Sequence, residues 1–167
     1  MKDNVNDKRV LALSVNSQGF GFVAFDGPGE LLDWGMRSFR GGVNAVKVPI
    51  KGKILRLFDA HQPDILLLKE PKTEQSKKIV NTIAKLARAQ AIPVEIVSKH
   101  DIQRVFAAEK QSKYHIGATI ALYYPELLPH LPPQRKPWQS EKYGIQIFEA
   151  VALGLAYFSD SPGTPES

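Results

Sequence analysis

Residues 10–35 read VLALSVNSQGFGFVAFDGPGELLDWG. An apolar run from Val10 to Val15 stops at Asn16-Ser17-Gln18-Gly19. A second run, Phe20 to Phe25, stops at Asp26-Gly27-Pro28-Gly29, and a third begins at Leu31. Apolar runs of about six residues cut by Gly, Asn and Pro are strands joined by tight turns. The stretch therefore predicts a three-stranded antiparallel meander at the head of the chain.

Downstream the pattern changes. Ile50, Ile54, Leu57 and Phe58 fall at i, i+4, i+7 and i+8, which predicts a helix over 50–60. Ile65 to Leu68 follows Pro63-Asp64 and is too short for a buried helix, so it reads as a buried strand. Thr73 and Ser76 are candidate N-caps for a helix to Gln90 whose inner face is Ile79, Val80, Ile83, Leu86 and Ala87. Val94 to Val97 makes another short strand, and helices are expected over 99–106, 113–124 and 142–158. Leu127 to Pro137 holds four prolines and reads as a loop. The order β-β-β-α-β-α-β-α-α-α implies an α/β fold with a mixed five-stranded sheet, the meander plus parallel strands, flanked by helices. One domain is expected over 1–158, with a disordered Ser, Pro and Gly-rich tail over 159–167.

Composition bounds the function classes. The chain has 167 residues, 43% hydrophobic and 23% charged, as in ordinary soluble domains. It has no Cys, which removes disulfides, thiolate zinc sites and Cys nucleophiles. No apolar run is long enough to span a bilayer, and the polar start MKDNVNDKR does not resemble a secretory signal. A cytoplasmic protein with no membrane partner is expected. The net charge of +5 is uneven: residues 41–113 carry fourteen basic and seven acidic groups, a balance of +7. A clustered basic surface favours a polyanion such as nucleic acid, although a solvated Lys-rich surface has the same composition.

Three segments carry a family resemblance across residues 10–158. They are LALSVNSQGFGF, PDILLLKEP and IFEAVALGLAY. Their order and spacing resemble the RuvC-type Holliday-junction resolvases of the ribonuclease H-like superfamily. The resemblance implies a site where two divalent ions about 4 Å apart cut a phosphodiester. Hard ions such as Mg²⁺ or Mn²⁺ need several converging carboxylates. Here the positions of the family's metal-binding acids fall on Ser14, Lys69, Gln146 and Glu149. Only Glu149 keeps a carboxylate, and Lys69 puts a cation where a metal would sit. Glu70 adjoins Lys69, but neighbouring strand residues face opposite sides unless a bulge turns one. No metal or other cofactor is therefore expected. Lys69 is either a solvated residue beginning a loop or the partner of Glu149 or Glu70.

The leading reading is a nucleic-acid-binding pseudoenzyme, with DNA, branched structures included, as the partner. An active nuclease with an unusual Mg²⁺ or Mn²⁺ site built from Glu70 and Glu149, with Asp26 as an optional third carboxylate, is the alternative. A non-catalytic interaction subunit in recombination or replication is the third. The resemblance also implies a homodimer. Candidate phosphate contacts are Lys51, Lys53 and Arg56 on one helix and Lys78, Lys85 and Arg88 on the next, with Asn81 in the same stripe. Such stripes are also the wet side of ordinary helices. Arg135, Lys136 and Trp138 offer a stacking contact in a loop, or Trp138 packs on the last helix. His61, His100, His115 and His130 lack metal-ligand spacing and are read as structural.

Overall fold

A computed structural model describes residues 8–16, 19–27, 30–38, 47–105, 124–130 and 145–160. The meander is present as β1 (Arg9–Asn16), β2 (Gly19–Asp26) and β3 (Leu31–Ser38). Then come α1 (Lys47–His61), β4 (Ile65–Lys69), α2 (Glu74–Ala89), β5 (Val94–Val97) and α3 (Lys99–Val105). A 3-10 turn (Pro125–His130) and the helix α4 (Ile145–Asp160) complete the described elements. The five strands form one sheet in the order β3-β2-β1-β4-β5. β1 is central, antiparallel to β2 and parallel to β4. No helix among the described residues is long and apolar enough to cross a membrane.

The sheet separates two apolar layers because strand side chains alternate between faces. Leu11, Leu13, Phe20, Phe22, Leu66 and Leu68 face α1 and α2. Val10, Ala12, Val23, Phe25, Ile65 and Leu67 face α4. β1 and β4 are buried on both faces, which explains their unbroken apolar runs. α4 is Ala-rich and sits close to the sheet. A Cβ on Gly21 would lie 2.6 Å from the backbone carbon of Gln146, and one on Gly154 would lie 2.3 Å from the Phe25 ring. These two glycines let α4 lie directly on β2.

Several boundaries differ from the sequence reading. α1 begins at Lys47 rather than Ile50 because Pro49 falls in its first turn, where no backbone N–H is needed. Thr73 is the N-cap of α2, and Ser76 is its reciprocal partner three residues on. The segment read as a loop from Leu127 contains part of the 3-10 turn. α4 continues to Asp160. Residues 113–123 of the helix expected over 113–124, the loop with Arg135, Lys136 and Trp138, and residues 161–167 lie outside the described residues, and Tyr124 itself is not helical.

Candidate functional site

The β1–β4 register sets Leu13 beside Leu68, which carries Ser14 to Lys69 at the ends of two parallel strands. Both residues share the α4 face with Ala12 and Leu67. Gln146 and Glu149 stand three apart on α4, on one helix face. The four positions converge. The Ser14 hydroxyl donates to Oε1 of Glu149 at 2.7 Å. The Lys69 ammonium donates to Oε2 of the same carboxylate at 3.0 Å. The Gln146 amide donates to the backbone carbonyl of Ser14 at 3.3 Å.

The cluster is largely sheltered. Ser14 is 1% exposed and Gln146 8%. The Lys69 and Glu149 side chains keep 17% and 12% exposure. Both Glu149 oxygens already accept a hydrogen bond, one of them from a cation. Of the alternatives for Lys69, the geometry selects the ion pair with Glu149.

Two residues considered for a metal site stand elsewhere. Glu70 lies past the end of β4, exposed, with its backbone N–H bonded to the Val97 carbonyl. β4 runs in unbroken register beside β5 as far as Lys69, so no bulge turns Glu70 inward. Asp26 pairs with Arg9 at the opposite end of β1 from Ser14. Five residues of strand at about 3.3 Å each put it roughly 16 Å away along the sheet. A site built from Glu70, Glu149 and Asp26 does not form. Among the described residues, no three His, Asp or Glu side chains are placed to hold a metal ion. The donor set of one carboxylate, one hydroxyl, one amide and one ammonium does not fit a pair of hard divalent cations.

The basic candidates occupy the other layer. Lys51, Lys53 and Arg56 are on α1, and Lys78, Lys85 and Arg88 are on α2; all but the half-buried Lys53 are exposed. These helices pack side by side over the sheet face opposite α4. Sequence reasoning missed Arg37 on β3. It joins Lys53 and Arg56 in lining a cleft between β3 and α1. A lone Arg on a strand carries no periodic signal, so only the packing of an edge strand against α1 reveals it. His61 pairs with Asp33 at 3.2 Å, and His100 is exposed.

No protein-family model matches the chain, and no curated protein matches it in sequence. Solved structures do match in shape. RuvC of Thermus thermophilus superimposes with a TM-score of 0.66 at 12% identity, covering 89% of this chain and 92% of that one. The yeast mitochondrial Holliday junction resolvase gives 0.57 at 10% identity, covering 93% and 80%. The Fowlpox virus resolvase, solved with substrate Holliday junction DNA, gives 0.57 at 12% identity, covering 89% and 95%. At such identities the likeness is one of fold, and the chain has the ribonuclease H-like fold of RuvC and other Holliday-junction resolvases.

Proposed function

We propose that this protein binds nucleic acid, branched DNA in particular, without metal-dependent cleavage. The Lys69–Glu149 ion pair carries the reading. It puts a fixed positive charge among the positions that a two-metal nuclease of this fold would fill with carboxylates. Cation against cation is unfavourable, and the one carboxylate is already engaged. The nucleic-acid half of the reading is supported by the basic excess in 41–113 and by the fold, since the Fowlpox virus resolvase of similar fold was solved with Holliday junction DNA. A homodimer belongs to the same reading.

Cleavage and binding assays on four-way and linear DNA, with Mg²⁺ and with Mn²⁺, test it directly. Binding without cutting is expected. Metal-dependent cutting that disappears in Glu149→Gln overturns it. Absence of binding at low salt moves the assignment to a protein-interaction subunit.

A further inference from the structure

Gly52 has no internal reason to be a glycine. It lies inside α1, past the first turn and well short of the end. Among the described glycines a positive φ belongs to Gly27 alone, so any L-residue could adopt the backbone at Gly52. Packing does not require it either. A Cβ on Gly21, Gly35 or Gly154 would come within 2.6, 2.9 or 2.3 Å of a neighbour, whereas one on Gly52 would meet nothing within 4 Å among the described residues. A glycine in a helix interior costs more backbone entropy than an alanine. The chain gives up helix stability here, and the rest of the fold gains no room from it. A local rule broken without internal gain is expected where the protein meets something else.

The surroundings of Gly52 say what that is. At 3.6 residues per turn, Ile50, Ile54, Leu57 and Phe58 turn to the core and Gly52 stands on the opposite, outermost line of the helix. Lys51 lies to one side, and Arg56 is one turn further on the same face. Both are exposed, and neither forms an ion pair among the described residues. Lys53, on the other side, is half-buried and has an interaction of its own. In the same layer α2 exposes Lys77, Lys78, Lys85 and Arg88, while the exposed acids of the two helices are Asp59 and Glu74. Asp59 stands roughly 10 Å beyond Gly52 along the axis, about a Debye length at physiological salt. It opposes an anion lying along α1 but hardly touches one that crosses the helix at Gly52.

Glycine lets another chain approach the backbone to van der Waals contact. The two exposed cations beside it attract an anion to that spot. A nucleic-acid strand supplies both the negative charge and the bulk that a side chain at this position would hold away.

We infer that Gly52 is a close-approach point for nucleic acid, where a sugar-phosphate backbone crosses α1 with its phosphates held by Lys51 and Arg56. The inference rests on the nucleic-acid reading above and adds to it a residue that carries no charge.

The test joins thermal melts to fluorescence anisotropy of a labelled four-way junction and a labelled duplex. Gly52→Ala and Gly52→Leu place good helix formers on the crest. Both should melt about 2–4 °C above the parent, the gain from replacing a helix-interior glycine in a domain of this size. Both should nevertheless bind DNA more weakly at low salt, by about threefold for Ala and about tenfold or more for Leu, as overfilling a close contact does. Lys51→Gln with Arg56→Gln should flatten the salt slope by about 1.8, at roughly 0.9 per lost phosphate contact. In that double variant Gly52→Leu should lose most of its effect, because the contact it blocks is already gone. Parent-like affinity in Gly52→Leu overturns the inference while leaving nucleic-acid binding intact. Equal losses from Ala and Leu also overturn it, since helix stiffness rather than side-chain size would then be the cause. So does a Gly52→Leu loss that is undiminished in the double variant. A parent that binds neither DNA removes both the inference and the reading beneath it.

Discussion

The Lys69 ammonium meets the Glu149 carboxylate at 3.0 Å, joining the end of β4 to α4 across 80 residues of chain. At that distance, with an effective dielectric near 20, the attraction is about 5.5 kcal/mol before desolvation. Desolvation of two sheltered charges offsets much of it. The pair therefore adds little net stability, yet removing one partner leaves a charge in a poorly solvated place. It holds α4 to the sheet and occupies the only carboxylate among the four converging residues.

Orphaning either charge should thus be costly while removing both should not. Lys69→Met is expected to destabilise by about 2–3 kcal/mol, below the range for fully buried pairs because both side chains keep some solvent. Lys69→Met with Glu149→Leu should recover most of that loss. Urea unfolding of the two single variants and the double gives the coupling directly. A coupling under about 0.5 kcal/mol would mean that the pair behaves as a solvent-exposed one.

Rebuilding the acids should rebuild the metal site. Ser14→Asp, Lys69→Glu and Gln146→Asp together with the native Glu149 place four carboxylates at one end of β1. Calorimetry should detect Mg²⁺ or Mn²⁺ uptake by the triple variant and none by the parent. Without metal the triple variant should be less stable, because the four acids repel. If it takes up no ion, the four positions are neighbours in space but not the remains of a metal centre.

Much of this was legible in the sequence, and the limits have physical causes. The meander, the central β1, the cap at Thr73 and the inner face of α2 follow from local rules of period and turn chemistry. The convergence of Ser14, Lys69, Gln146 and Glu149 came from the resemblance, because contacts spanning 80 and 135 residues leave no local signal. Asp26 was a plausible ligand by composition alone. It failed because an antiparallel partner strand carries its far end away from the site. Glu70 failed because strand alternation held with no bulge. The stacking of Arg37 on Phe22 was illegible, since it depends on Gly35 leaving room beside the Phe22 ring across two strands.

Gly21 should tolerate no side chain. Its place opposite Ser14 in the β1–β2 register brings it under the first turn of α4, where a Cβ would meet Gln146 backbone at 2.6 Å. Backbone cannot step aside as a flexible side chain can. Gly21→Ala should cost about 3 kcal/mol, the upper part of the overpacking range. It should also loosen the Ser14–Glu149 contact. Thermal melts read the first effect, and amide exchange over 145–160 reads the second. A melt within about 1 °C of the parent would show that α4 is not seated as described.

Alkaline stability should fall for an identifiable reason. Burial, and next to it the Glu126 carboxylate, raise the pKa of Tyr124 above its ordinary 10.0. The folded state thus holds the phenolic proton more tightly than the unfolded chain. That contribution is fully present below pH 10 and is lost as pH rises through the folded pKa. Tyr124→Phe should reduce the loss of stability above pH 10, read as urea midpoints across the alkaline range. An unchanged alkaline profile would mean that other groups dominate there.

DNA binding should be strongly salt-dependent and weakly sequence-dependent. On the proposed reading the cations of α1 and α2 contact phosphates rather than base edges, and each duplex contact contributes about −0.9 to the slope of log affinity against log salt. Four or five contacts among Lys51, Lys53, Arg56, Lys78, Lys85 and Arg88 give a slope of roughly −4. Lys78, Lys85 and Arg88 are exposed on α2, whereas Ile79 and Ile83 are buried beneath it. Replacing those three cations by Ala should therefore keep the fold and flatten the slope by up to about 3 units. A flat slope in the parent protein would remove the electrostatic basis for nucleic-acid binding altogether.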